Sequence, residues 1–102
     1  MDFYVTLDLR EDSALSPIPG VSLEPLNASN REAFKVPSSV RGIVVTKSTG
    51  EAQTFKEGVV LVEINGYPIN SVAEAENRLK RGINRFYIWY RSKYQYLAYR
   101  IP

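Results

Sequence analysis

The stretch GVVLVEINGYPI, residues 58–69, decides the fold. Val59 to Ile64 is apolar at every position but Glu63. A half-buried strand alternates in polarity, so this run reads as a central strand covered on both faces. Asn65-Gly66 supplies the left-handed backbone of a tight turn. Tyr67-Pro68-Ile69 leaves that turn, and Asn70-Ser71 opens a helix. The rest of the chain must wrap around this strand, turn and helix.

Downstream, the spacing predicts a helix over 71–81. Ser71 is its N-cap, and Glu74 three residues on completes a capping box. Val72, Ala75 and Leu79 fall on one face. Arg78, Lys80 and Arg81 suit the C-terminal end of the dipole, and Gly82 is the expected stop. Asn84 to Arg91 alternates, with Phe86, Ile88 and Tyr90 inward and Tyr87, Trp89 and Arg91 outward. Ser92-Lys93 is read as a turn. Tyr94 to Ile101 closes the chain, with Leu97, Tyr99 and Ile101 inward and Tyr94, Tyr96 and Arg100 outward.

Upstream, residues 2–9 alternate as a half-buried strand, and the two prolines of residues 11–19 forbid regular pairing there. Gly20 to Leu26 is a further strand. Pro25 lacks an N–H and places it at a sheet edge, where it is open to a further strand. Asn27 to Lys35 reads as a short helix capped by Asn27 or Ser29, with Ala33-Phe34 inward and Pro37 ending it. Arg41 to Lys47 is a β-branched strand. Ser48 to Lys56 is a polar connection with Phe55 plugged into the core.

At 102 residues the chain holds one modest core. Cysteine and histidine are absent, so neither thiolate nor imidazole chemistry operates here. No metal-ligand spacing and no Gly-rich phosphate loop is present, and nothing sets the geometry of a Ser–Lys pair. Catalysis, a metal and a cofactor are therefore not expected, and no run approaches a membrane span. No secretory leader is read in the first residues. The net charge of +2 conceals an asymmetry: residues 77–102 hold seven of the 13 bases and none of the 11 acids. The same segment is rich in Tyr and holds the single Trp. Basic and aromatic together is the composition of a nucleic-acid surface, but also of two solvated strands. No nucleic-acid signature motif accompanies the charge, so the second reading is preferred.

The order of edge strand, short helix, strand, buried strand with Asn-Gly, capped helix and final hairpin resembles a PDZ domain of the bacterial, circularly permuted type. The likeness is closest to the PDZ domains of HtrA/Do-type serine proteases. It rests on Gly42-Ile43-Val44-Val45-Thr46, on Val62-Glu63-Ile64-Asn65-Gly66, and on Pro68 with Ser71-Val72, and it covers about Gly20 to Ile101. Thr54-Phe55 stands where the family has Gly-Leu, and Gly58-Val59 where it has Gly-Asp. The resemblance implies an α+β fold: a PDZ-like, partly open antiparallel barrel or sandwich of five to six strands, with one main capped helix and one short helix. Residues 13–102 would form that domain, and residues 1–12 an added strand or the remnant of a preceding domain. It also implies a periplasmic or cell-envelope setting within a protease that senses substrates or is regulated by them.

Three readings of function follow. In the first, an extended segment or polypeptide C-terminus adds as a strand beside Ile18, Pro19, Gly20, Val21, Ser22 and Leu23, against a helix wall of Val72, Glu76 and Leu79. Pro19 has no N–H, which removes one donor from the loop that holds a terminal carboxylate in the family. In the second, Tyr87, Trp89, Arg91, Tyr94 and Tyr96 form a docking surface for other domains of a parent protease. In the third, Trp89, Tyr87 and Arg91 bind single-stranded nucleic acid.

Overall fold

The computed structural model describes residues 17, 18, 20–49 and 55–101. The strand expected over residues 2–9, Pro19 and most of the connection before Phe55 lie outside the described residues. Eight elements follow in chain order: β1 (Val21–Pro25), α1 (Ala28–Phe34), β2 (Ile43–Ser48), β3 (Val60–Ile64), β4 (Tyr67–Pro68), α2 (Val72–Arg78), β5 (Gly82–Tyr90) and β6 (Lys93–Ile101). The α+β composition is as expected. The strands form one open antiparallel sheet in the order β1-β2-β3-β5-β6, with the short β4 paired to β3. No pairing among the described residues closes it into a barrel.

β3 is central and covered on both sides, because two apolar clusters lie on opposite faces of the sheet. Val59, Leu61 and Ile64 join Ile43, Val45, Phe86 and Ile88 in the larger cluster. Val60 joins Val44, Val36, Val40 and Trp89 in the smaller one. Neighbouring residues such as Ile43, Val44 and Val45 alternate between the two, as strand geometry requires. Leu61 and Ile64 share a face although three residues apart, because a bulge interrupts the β3–β5 register between Leu61 and Glu63. The helices divide likewise. Ala75 of α2 packs in the larger cluster, and Phe34 of α1 packs against the smaller. Phe55 is fully buried and meets Phe86 and Tyr99 edge to face, at centroid distances of 5.1 and 4.9 Å.

Both helices start at an expected N-cap, but the capping box expected at Ser71 does not close. The Asn27 side chain accepts from the Asn30 N–H and the Asn30 side chain from the Asn27 N–H, both at 2.8 Å, which selects Asn27 over Ser29 as the cap. Ser71 Oγ accepts from the Glu74 N–H at 3.1 Å, while the Glu74 carboxylate reaches one residue further back, to the Asn70 N–H at 2.7 Å. Asn65 and Gly66 both have positive φ, 53° and 88°, and join β3 to β4 as a two-residue hairpin turn.

Four expectations are corrected. α2 stops at Arg78, with Leu79 as an extended C-cap, so Gly82 begins β5 instead of ending the helix. Asparagine side chains from β5 and the β3–β4 turn occupy the backbone groups beyond that point. Ala33 is exposed, and only Phe34 turns inward. The final turn is Arg91-Ser92, one residue earlier than read, since Tyr90 pairs with Lys93. Trp89 is 4% exposed rather than outward to solvent. It lies on the face that alternation assigns it, but the Val36–Val40 segment covers that face there.

Candidate functional site

The first candidate region is the outer side of β1. β1 pairs with β2 from Val21 opposite Ser48 to Pro25 opposite Ile43, with a register shift between Ser22 and Leu23. It stands at the end of the strand order, and no other described strand pairs with it. α2 lies alongside it. An edge strand bordered by a helix presents backbone donors and acceptors on one wall and side chains on the other.

The residues assigned to this slot play different parts. Ile18 and Val21 are 0% and 2% exposed and belong to the larger core cluster. Their side chains fix the start of β1. The Val21 N–H donates to the Ile18 carbonyl at 3.1 Å, across a tight turn in which Gly20 has φ 79°. The Gly20 carbonyl in turn accepts from the Thr49 N–H at 2.9 Å, which ties the turn to the end of β2. Ser22 is half-buried, and its carbonyl accepts from Thr46 Oγ1 at 3.4 Å. Leu23 and Leu79 are half-buried and pack against the larger cluster from the two walls. Val72 is half-buried but belongs to neither cluster, and Glu76, one turn along, is exposed. Pro19 lies outside the described residues.

α2 is short, and its end is held by a polar group that sequence reasoning did not single out. Asn84 is fully buried. Its Oδ1 accepts from the Lys80 N–H at 3.0 Å and from Asn65 Nδ2 at 2.9 Å. Its Nδ2 donates to the carbonyls of Lys80 and Gly82 at 2.7 and 3.1 Å. Asn65 Nδ2 also donates to the Arg78 carbonyl at 2.9 Å, the last residue of α2. The Arg78 guanidinium sits 3.8 Å above the Tyr67 ring. The helix wall is thus anchored to the Asn-Gly turn of β3–β4. No sequence motif marks Asn84, whose partners are Lys80 and Gly82 just after α2 and Asn65 in the β3–β4 turn.

The second candidate region is the side of β5–β6 that faces away from the larger cluster. Of the residues expected to form a docking surface, Tyr94 and Tyr96 are 47% and 66% exposed and Arg91 is exposed. Tyr87 is half-buried, with Tyr94 stacked on it at 5.3 Å and Tyr96 tilted against it at 4.6 Å. Trp89 drops out of the surface because it is buried. Ile83, 53% exposed, with Arg85, Ala98 and Arg100 extends the same side of the sheet beyond the tyrosines.

Among the described residues no group of His, Cys, Asp and Glu is placed to hold a metal ion. No described helix is long and apolar enough to cross a membrane. No protein-family model matches the chain, and no curated protein matches its sequence.

Proposed function

We propose that this chain is a polypeptide-binding module that takes an extended segment as an extra strand on β1, with α2 as the opposite wall. The observation that carries this reading is the pairing of β1 with β2 alone among the described residues, with a helix alongside whose Val72 packs into neither core cluster. A strand at the end of the described sheet offers main-chain groups of Ser22 to Glu24 for hydrogen bonds, and the helix supplies side-chain selectivity. Val72 and Leu79 offer apolar contact, and Glu76 selects a basic ligand residue. Pro25 lacks an N–H and limits the paired stretch.

The resemblance to PDZ domains of HtrA/Do-type proteases supports the same reading. On it, the module would sense substrate or regulate a protease of the cell envelope. This chain departs from the family where a terminal carboxylate is held. Pro19 has no N–H by its chemistry, and the Val21 N–H already donates to the Ile18 carbonyl. The proposed ligand is therefore an internal extended segment in preference to a chain end.

The test presents the 102-residue chain to paired libraries of internal and free-C-terminal peptides. Amide chemical shifts then map the hits. Selected internal peptides should shift the amides of β1 and α2 and lose binding on Val72→Asp. No selected peptide, or shifts confined to other elements, would overturn the proposal.

A further inference from the structure

Successive cross-strand pairs on the exposed side of β5–β6 form a strip: Ile83 with Arg100, Arg85 with Ala98, and Tyr87 with Tyr96, followed by Tyr94 opposite the buried Trp89. At a strand rise of roughly 3.4 Å per residue, the strip is about 20 Å long from Ile83 to Trp89. Its two ends differ. One is cationic, with Arg85 and Arg100 exposed around the apolar floor of Ile83 and Ala98. Lys80 and Asn65 wall this end into a shallow cavity of about 460 Å³. The other end is the cluster of Tyr87, Tyr94 and Tyr96. One carboxylate, the half-buried Glu63 opposite Tyr87, shares the strip.

We propose that this strip is a second docking surface, separate from the β1 edge, and that its occupant is an extended acidic segment of another polypeptide. The segment's carboxylates lie over Arg85, Arg100 and Lys80, and its apolar side chains lie on the tyrosines. Among the described residues the strip's cations outnumber its carboxylates: Arg85, Arg100 and Lys80 stand against Glu63, and residues 77–102 contain no acid. Clustered Arg and Tyr with little competing carboxylate is complementary to an acidic, partly apolar partner.

Two other occupants fit less well. Single-stranded nucleic acid needs open aromatic faces for its bases. Here the tyrosine rings lie against one another, and Trp89 is buried. A second copy docked face to face about a two-fold axis along the strip would set the Arg85 and Arg100 groups of both copies together, which like-charge repulsion opposes, and an axis across the strip would lay tyrosines rather than carboxylates over them.

The test uses three fluorescein-labelled probes with the full chain: a 12-residue peptide alternating Glu with Leu and Phe, the same peptide with Lys for Glu, and a 12-nucleotide oligothymidine. Only the acidic peptide should bind, and more weakly as salt rises. The double substitution Arg85→Gln with Arg100→Gln should weaken it at least ~10-fold, since charge-assisted contacts are lost. Tyr96→Ala should weaken it several-fold, and Val72→Asp at the β1 groove should leave it unchanged. All four positions are at least partly exposed, and thermal melting checks that each variant folds. Absence of acidic-peptide binding, binding indifferent to the double substitution, equal or tighter oligonucleotide binding, or self-association through this face would each overturn the proposal. Because the probes read β5–β6 and Val72→Asp reads β1, failure here is distinguishable from failure of the groove reading.

Discussion

Asn65 Nδ2 donates to Asn84 Oδ1 at 2.9 Å, one of the bonds that couple the β3–β4 turn to the root of β5. Through it Asn84 completes its hydrogen-bonding capacity, two bonds accepted and two donated, in a site with no solvent exposure. Asn65 adds a bond from the Arg85 N–H to its Oδ1 at 2.9 Å. Removing the amide of Asn84 leaves the Lys80 N–H and the Lys80 and Gly82 carbonyls to seek other partners. Asn84→Ala should therefore destabilise the fold by about 2–4 kcal/mol, less than the roughly 1–3 kcal/mol for each stranded group would sum to, because Lys80 and Gly82 are partly open to water. Urea unfolding measures the loss. Asn65→Ala should cost less, since Asn65 is only half-buried. The reverse order would show that Asn84 is not the centre of the network.

The limits of sequence reading follow from the same pair. The start of α2 was legible because Ser71 and Glu74 lie within one turn of each other. Its end was not, because Asn65 and Asn84 arrive from outside the helix. The face of Trp89 was legible from alternation, whereas its burial depended on Val36 and Val40, which are distant in sequence. The Arg91-Ser92 turn carries neither Asn nor Gly to mark it. The edge position of β1 was signalled by Pro25 alone. Ile18 and Val21 pack in the larger cluster, and sequence does not separate them from a ligand slot, because apolar residues of a groove and of a core look the same in a string of letters.

Trp89 is the single tryptophan and the reporter of the smaller cluster. Its emission should be blue-shifted and poorly quenched by iodide in the native state, and red-shifted on unfolding. Trp89→Ala removes a large buried side chain and should cost roughly 3–5 kcal/mol. Native emission already quenched by iodide would contradict the burial of this ring.

Gly42 and Gly66 both have positive φ, 142° and 88°, but they differ in surroundings. A Cβ on Gly42 would fall onto the backbone carbonyl of Leu61, where β2 approaches β3, whereas one on Gly66 meets nothing within 4 Å. Gly66→Ala should cost only the strain of a left-handed residue, about 1–2 kcal/mol. Gly42→Ala must also displace a strand backbone and should leave little folded protein. Circular dichroism and thermal melting of the two variants compare them directly, and equal losses would contradict the close approach.

Val72 and Leu79 separate binding from stability. Leu79 packs against the larger cluster, so Leu79→Ala should cost about 1–2 kcal/mol, less than a fully buried leucine, alongside any effect on ligand. Val72 belongs to neither cluster of the described residues, so Val72→Ala should change stability by less than about 1 kcal/mol and yet weaken a β1-bound peptide. Titration of one selected peptide against both variants, with melting curves in parallel, decides the matter. A Val72→Ala variant that loses stability but keeps its ligand would remove the helix from the binding wall.

Arg91 and Ser92 join β5 to β6 with φ values of 48° and 69°, a left-handed pair in which neither residue is glycine. Two-residue hairpins of this kind favour Asn-Gly, because both central residues need positive φ. The present pair keeps Arg91 at the tip, with its guanidinium 5.3 Å from the centre of the Tyr90 ring, at the cost of backbone strain. Replacing Arg91-Ser92 by Asn-Gly should raise stability by about 1 kcal/mol through relief of that strain, since the register of Tyr90 opposite Lys93 already matches the turn. The gain should appear as a higher urea midpoint with an unchanged slope. Unchanged or reduced stability would mean that contacts of the Arg91 side chain outweigh the backbone term, and Arg91→Asn alone would then account for the loss.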